Sequence, residues 1–253
     1  MRTDAAAVKT YSLHHDAWLT RKFGRAVWQL RTGEDGEPLS SLESAAPAFA
    51  YAKVDTGDVA TLWSLTDAGF RVVDAAVTLE TSTPADARGS GLRFARPDDA
   101  DAVRRIAGSS FRFSRFHVDP FIPPGLAHSI KAEWAANFFT GTRGDGMAVA
   151  ERNGQVVGFT QLIWHSNECL VIDLIALEPA CQGLGIGRAM IGYASEHGTG
   201  DERRPQRLRV GTQVANTPSI RLYESLGFRL IGSQYILHCH RGRPLADDAH
   251  RRD

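Results

Sequence analysis

The stretch LIALEPACQGLGIGRAM, residues 174–190, decides how the rest of the chain is read. An apolar run ends at Pro179, a short glycine-rich turn follows, and a helical pattern begins. Such a turn aims several backbone N–H groups at one point, at a helix N-terminus carrying a partial positive charge. That combination suits a pyrophosphate. Gly183, Gly185 and Gly187 let a phosphate approach the backbone closely, and Arg188 can add a charged contact. A P-loop would need GxxxxGK[ST], and no Lys-Ser or Lys-Thr follows these glycines. A dinucleotide fingerprint would need GxGxxG early in a βαβ unit, whereas GxGxG occurs here late in an antiparallel-rich segment. Taken alone, GxGxG is equally a tight turn.

Working outward, residues 169–177 are nearly continuously apolar, broken only by Asp173, and predict a central strand. Residues 146–151 and 155–165 read as two strands joined by Asn153-Gly154, a strong hairpin turn. Residues 92–95 form a short strand, and Asp98 or Asp99 caps a helix through Ile106. A helix within 123–139 places Leu126, Ile130, Trp134 and Phe138 at i, i+4, i+8 and i+12. Downstream come a helix over about 185–197, a strand over 208–213, and a helix over 217–226 with Pro218 in its first turn.

The first half ends LTDAGFRVVDAAVTLE, residues 65–80, and the second YESLGFRLIGSQYILH, residues 223–238. Both run helix end, Gly-Phe-Arg, then an alternating strand, which suggests two related α/β units. Only the second carries the nucleotide-type turn. The polar stretch TSTPADARGS, residues 81–90, reads as a linker. The expected parts are an N-terminal α/β half over 1–85, a catalytic-type domain over 91–241 and a polar tail over 242–253.

Composition narrows the class. Lys+Arg and Asp+Glu are both 29, so the formal net charge is zero, and no basic stripe points to nucleic acid. No apolar run approaches membrane-spanning length, and the first residues lack the apolar core of a signal peptide. Cys169, Cys181 and Cys239 form no CxxC pair, so neither a disulfide framework nor a metal site is expected. These features predict a reduced, cytoplasmic protein, and a homodimer is allowed.

Residues 174–190 resemble the acyl-CoA-binding motif of the GNAT acetyltransferase superfamily. In that family a [QR]-x-x-G-x-[GA] signature follows a strand and a proline, here Gln182-Gly183-Leu184-Gly185-Ile186-Gly187. The downstream Asn216 and Tyr223-x-x-x-Gly-Phe extend the resemblance, which covers about residues 91–241. It implies a mixed, mostly antiparallel α/β (α+β) sheet flanked by helices, preceded by a smaller degenerate GNAT-like half. The segment Phe113 to Pro120, FSRFHVDP, and Lys131-Ala132-Glu133-Trp134 resemble the dTDP-amino-sugar N-acetyltransferases within that superfamily. Residues 16–24, DAWLTRKFG, depart from the segment those relatives carry in their N-terminal half.

The resemblance implies acetyl-CoA as co-substrate, no metal, and direct attack of an amine on the thioester, aided chiefly by orientation. Backbone N–H groups at Leu174, Ile175, Ala176 and Leu177 would hold the thioester carbonyl and pantetheine. Tyr223 stands where the family places a general acid for the thiolate, or is a core aromatic. Asn216 contacts pantetheine or caps a helix. The general base stays open: Asp173, whose place in an apolar strand needs a reason, then Glu168, with His117, His165 and a water chain behind. Ser114, Arg115, His117 and Asp119 are acceptor-site candidates, Arg115 suiting a phosphate through its forked donors. The expected acceptor is the amine of a nucleotide-linked amino sugar. Alternatives are an acetyltransferase for a protein N-terminus, amino acid, polyamine or drug, and a non-catalytic acyl-CoA-binding protein.

Overall fold

The computed structural model describes residues 10–33, 37–38, 49–82 and 89–241. The middle of the expected linker, residues 83–88, and the expected polar tail, 242–253, lie outside them. The described residues fall into two compact units, one drawn from Met1–Ala75, Val118–Pro123 and Gln234–Asp253, the other from Ala76–His117 and Pro124–Ser233.

In the first unit the order is β1 (Thr10–His15), α1 (Ala17–Phe23), β2 (Val27–Thr32), β3 (Glu37–Pro38), β4 (Phe49–Asp55) and α2 (Val59–Asp67). Asp16 caps α1 by accepting from Leu19 N, and Asp58 does the same for α2 through Thr61 N. The strands run β3-β1-β2-β4, and the last half of β11 (Arg229–His240) closes the row beside β4. There Gln234 faces Asp55 and His240 faces Phe49 in antiparallel register. Tyr11, Leu30, Val54, Leu65, Phe70 and Leu237 fill the core.

The second unit takes in the end of β5 (Arg71–Thr81), β6 (Leu92–Phe94), α3 (Ala100–Ser110), α4 (Pro124–Ala136), β7 (Gly146–Arg152), β8 (Gln155–Trp164) and β9 (Cys169–Leu177). It continues with α5 (Ile186–His197), β10 (Arg207–Gln213) and α6 (Thr217–Ser225). Its strand order is β5-β10-β9-β8-β7-β6, antiparallel except for β9 beside β10. Asn153 and Gly154, both at positive φ, make the predicted hairpin turn between β7 and β8. Neither Asp98 nor Asp99 caps α3 with its side chain; Asp99 accepts from Arg96 N at 2.7 Å and pairs with Arg93. One core packs α3 and α4 on Phe159, Leu174 and Ala176, and another packs α5 and α6 on Leu162, Leu170 and Ile172.

That division of β9 has a local cause. Opposite β8, Gln161 pairs with Leu174 but Leu162 pairs with Ile172, so Asp173 is an extra residue, a β-bulge. In a regular strand residues two apart share a face. The bulge breaks this rule, and Ile172 and Leu174 therefore enter different cores.

The expected repeat appears as two helix–glycine–strand units, α2–Gly69–β5 and α6–Gly227–β11, with both glycines left-handed at φ 91 and 84. Each following strand starts in one unit and ends in the other. The three cysteines are free and buried. No helix among the described residues is long and apolar enough to cross a membrane.

Candidate active site

β10 pairs with β9 only from Arg207–Cys169 to Val210–Ile172. Beyond that point β9 keeps its β8 partner and β10 its β5 partner, so the facing backbone groups of residues 173–177 have no strand partner among the described residues. An opening of this kind offers strand-edge N–H and C=O groups to an extended chain such as a pantetheine arm.

β9 runs through a short 3-10 turn, Pro179–Cys181, into the glycine loop and α5. Gly183 and Gly185 sit at φ 76 and 78, where an L side chain is strained. Gly185 is the N-cap of α5, and no side chain caps that helix. Among the described residues, the N–H groups of residues 183–188 donate to no protein acceptor. Gln182, Gly183, Leu184 and Gly185 are exposed, and Ile186, Gly187 and Arg188 half-buried. At Gly187 a Cβ would meet Leu222 at 3.4 Å and Leu177 at 3.7 Å, ordinary contact distances, so packing alone does not require glycine there. Arg188 donates to Ser225 Oγ at 2.6 Å, which ties α5 to α6.

A charged group lies beside the bulge. Arg143 donates from Nε and Nη2 to the two carboxylate oxygens of Asp173, at 2.7 and 2.6 Å. Its guanidinium lies 4.5 Å from the Trp134 ring centre. Lys131 Nζ lies 4.8 Å from the rings of both Trp134 and Phe111, and among the described residues it makes no hydrogen bond or ion pair. Burial lowers its pKa to about 8; Asp173 opposes the shift, and Arg115 and Arg143 add to it. Arg115 lies over the Phe116 ring at 4.5 Å. Ser114 Oγ is 2.6 Å from His117 Nδ1, and His117 Nε2 is 3.2 Å from His128 Nδ1. Burial first, then His128 and Lys131, lower the His117 pKa to about 4, so this imidazole is neutral at pH 7. Gln161 is fully buried, and its Oε1 has no hydrogen-bond partner among the described residues.

The remaining candidates are scattered. Glu168 is exposed at the start of β9, about 20 Å along the strand from Leu174 at ~3.3 Å per residue. Its carbonyl accepts from Gln206 N and Arg207 N. His165 is exposed nearby. Tyr223, 3% exposed, packs with Phe228, and burial pushes its phenol well above the usual value near 10. Asn216 occupies the N-cap position of α6 without capping it, and its Nδ2 donates to Thr212 Oγ1 at 3.2 Å. Asp119 belongs to the first unit. Its Oδ2 is 2.5 Å from His238 Nδ1 and 2.7 Å from His240 Nε2.

These three residues converge closely enough to hold a metal ion. Arg25, however, lies 2.9 Å from His240 Nδ1 and can only donate, so that nitrogen accepts and the ring proton sits on Nε2, facing Asp119. The group is a hydrogen-bonded chain from Arg25 through His240 to Asp119. Sequence reasoning missed Lys131, Arg143 and Gln161 as site residues. The Lys131–Trp134 spacing of three on one helix was the available signal.

A half-open strand pair, a bulge at its mouth and a bare helix N-terminus behind left-handed glycines define the acyl-CoA N-acetyltransferase class of fold. The chain belongs to the GNAT acetyltransferase family. The model of the acetyltransferase (GNAT) family matches residues 108–228. An uncharacterized N-acetyltransferase of Methanocaldococcus jannaschii is 30% identical over 69% of this chain and 74% of its own length. The spore coat polysaccharide biosynthesis protein SpsD of Bacillus subtilis is 33% identical over 58% of this chain and 50% of its own. The dTDP-fucosamine acetyltransferase of Escherichia coli O6:H1 is 26% identical over 79% and 86%. Several curated relatives are thus matched over half their length or less. Among solved structures, a tandem GNAT protein from the clavulanic acid biosynthesis pathway aligns over 92% of this chain and 80% of its own, with TM-score 0.54 and 13% identity.

Proposed function

We propose that this protein transfers acetyl from acetyl-CoA to the amine of a nucleotide-linked amino sugar, by direct attack within one complex. The observation that carries acetyl transfer is the β9–β10 opening, which ends one residue before the bulge and leads to the free N–H groups of residues 183–188. Those N–H groups suit the pyrophosphate, with Gln182 and Arg188 at the rim. Leu174, Ile175, Ala176 and Leu177 offer backbone donors to pantetheine and to the thioester oxygen. The Asn216 carboxamide, not used as a cap, faces the same role. Tyr223 keeps its proton at neutral pH and can hydrogen-bond the departing sulfur.

For the acceptor, Arg115 and Arg143 give this face donors for an anionic ligand, and the rings of Phe111 and Trp134 supply flat apolar surface for a sugar. Ser114 and His117 line the same segment. The relatives that make spore coat polysaccharide and that acetylate dTDP-fucosamine favour a sugar acceptor. The free thiols suit a reducing, cytoplasmic setting. A screen of nucleotide amino sugars, free amino sugars, polyamines and peptides with acetyl-CoA, read as released thiol, tests the reading. Preference for a peptide or polyamine would leave acetyl transfer standing and remove the sugar. No thiol release with any amine would leave only a CoA-binding protein.

A further inference from the structure

We infer that Lys131 is the general base that takes the proton from the acceptor ammonium, a role that rests on the acetyl-transfer reading. The amine arrives protonated and must lose that proton before its lone pair is available. The carboxylates considered first are poorly suited: Asp173 is clamped by Arg143 through both oxygens, and Glu168 is exposed at the far end of β9. His117 is held between Ser114 and His128 and has little proton affinity left.

Lys131 differs on each count. Its ammonium nitrogen has two aromatic rings as neighbours and no carboxylate partner among the described residues. Two independent links connect its aromatic neighbours to the part of β9 that would hold the thioester. Phe111, under the ammonium, follows Ser110, whose Oγ donates to Leu177 O at 2.9 Å. Trp134, its other neighbour, carries Arg143, which grips Asp173, the residue before Leu174. Leu177 is therefore held by the residue next to Phe111, and Asp173 by the arginine stacked on Trp134. Arg115 and Arg143 act on it as cations and Asp173 as a carboxylate, and the neutral His117 ring stands beside His128. This surplus of positive charge in a buried place disfavours a further ammonium, and the lysine proton affinity falls to the range a base needs near neutrality.

The chemistry balances without another reactant. The acceptor ammonium gives one proton to the neutral Nζ of Lys131. The freed lone pair forms the N–C bond to the acetyl carbonyl carbon, the C–S bond breaks, and the second nitrogen proton goes to the thiolate, giving amide and free thiol. Lys131 then returns its proton to solvent.

Lys131 is one of only four lysines in the chain, with Lys9, Lys22 and Lys53, so it can be followed directly. In protein labelled with 15N-lysine, one side-chain signal should titrate near pH 8, and Lys131→Met should remove it. The variant should fold with an equal or higher thermal midpoint, since it replaces a half-buried charge that has no carboxylate partner among the described residues with an apolar chain. It should bind acetyl-CoA normally and lose turnover by about 10²–10⁴-fold with a dTDP-linked amino sugar or with glucosamine. The acid limb of kcat at saturating acceptor should vanish, and added methylamine should restore part of the rate. A Lys131 signal that titrates with the other lysines overturns the assignment whatever the acceptor. So does a Lys131→Met enzyme that keeps its rate and its acid limb. Failure of every nucleotide sugar, with glucosamine acetylated in a Lys131-dependent way, removes the acceptor reading and supports the base.

Discussion

Arg143 grips both oxygens of Asp173, and Asp173 is the one residue that β9 inserts against β8. The ion pair therefore pins the bulge. Removing one partner leaves a half-buried charge alone, with side chains 33% and 14% exposed. Asp173→Asn should cost about 1–2 kcal/mol, below the value for a fully buried pair because Arg143 reaches solvent. It should lower turnover while keeping the acid limb of the pH profile. Urea titration and kcat against pH check both, and loss of that limb would make Asp173 the base.

The glycine loop gives a second expectation. At φ 78, any L side chain at position 185 is strained by roughly 1–2 kcal/mol, yet nothing within 4 Å would clash with a Cβ there. Gly185→Asp should fold, as circular dichroism would show, and should fail to bind acetyl-CoA by calorimetry, because a carboxylate would face the pyrophosphate. Gly185→Ala should bind weakly. If Gly185→Asp binds like the parent, the pyrophosphate lies elsewhere.

Tyr223→Phe isolates one hydroxyl. The ring stays packed against Phe228, so the melting temperature should barely move. Turnover should fall by ~10²-fold or more if the phenol serves the leaving sulfur, with acetyl-CoA affinity unchanged. Near-parental turnover, with chemistry shown to limit the rate, would make Tyr223 a packing residue.

Much of the second unit could be read from residue patterns, because glycine, proline and periodicity act locally. Gly185 before the helix, Asn153-Gly154 between strands and Pro218 at the start of α6 each mark a boundary through their own backbone preferences. The bulge could not be read. β9 is apolar on both faces, so it has no alternation for an inserted residue to interrupt. Asp173 looked like an unexplained acid because its partner, Arg143, lies 30 residues earlier in a turn with no periodic signal. Lys131 was hidden for a similar reason: only tertiary packing shows that a helix lysine lacks a carboxylate. Asp119 was grouped with Ser114 and His117 by its nearness in sequence, whereas its carboxylate bonds His238 and His240.

That last group sets the acid limit of the first unit. Burial opposes ionisation of Asp119, but His238, His240 and the Phe121 N–H together hold its pKa far below the usual 3.9 or so. A depressed carboxylate pKa gives stability that is complete above the unfolded value and lost as pH falls towards the folded one. The protein should therefore lose stability below about pH 4, with Arg25, His238 and His240 as the groups facing Asp119. Asp119→Asn should cost about 3 kcal/mol or more at pH 7 and should flatten the acid slope. Guanidinium unfolding at pH 7 and pH 3 measures both; an unchanged slope would assign it to other carboxylates.

β5 leaves α2 in the first unit and ends as the partner of β10, while β11 leaves α6 in the second and ends as the partner of β4. The two halves are cross-threaded, and the protein cannot be divided where its sequence appears to divide. A fragment starting at residue 89 would leave Leu208 to Gln213 as a bare sheet edge, prone to self-association. Mixed with a fragment ending at residue 82, it should recover a soluble, folded complex. Neither stretch of sequence therefore holds a complete unit of its own.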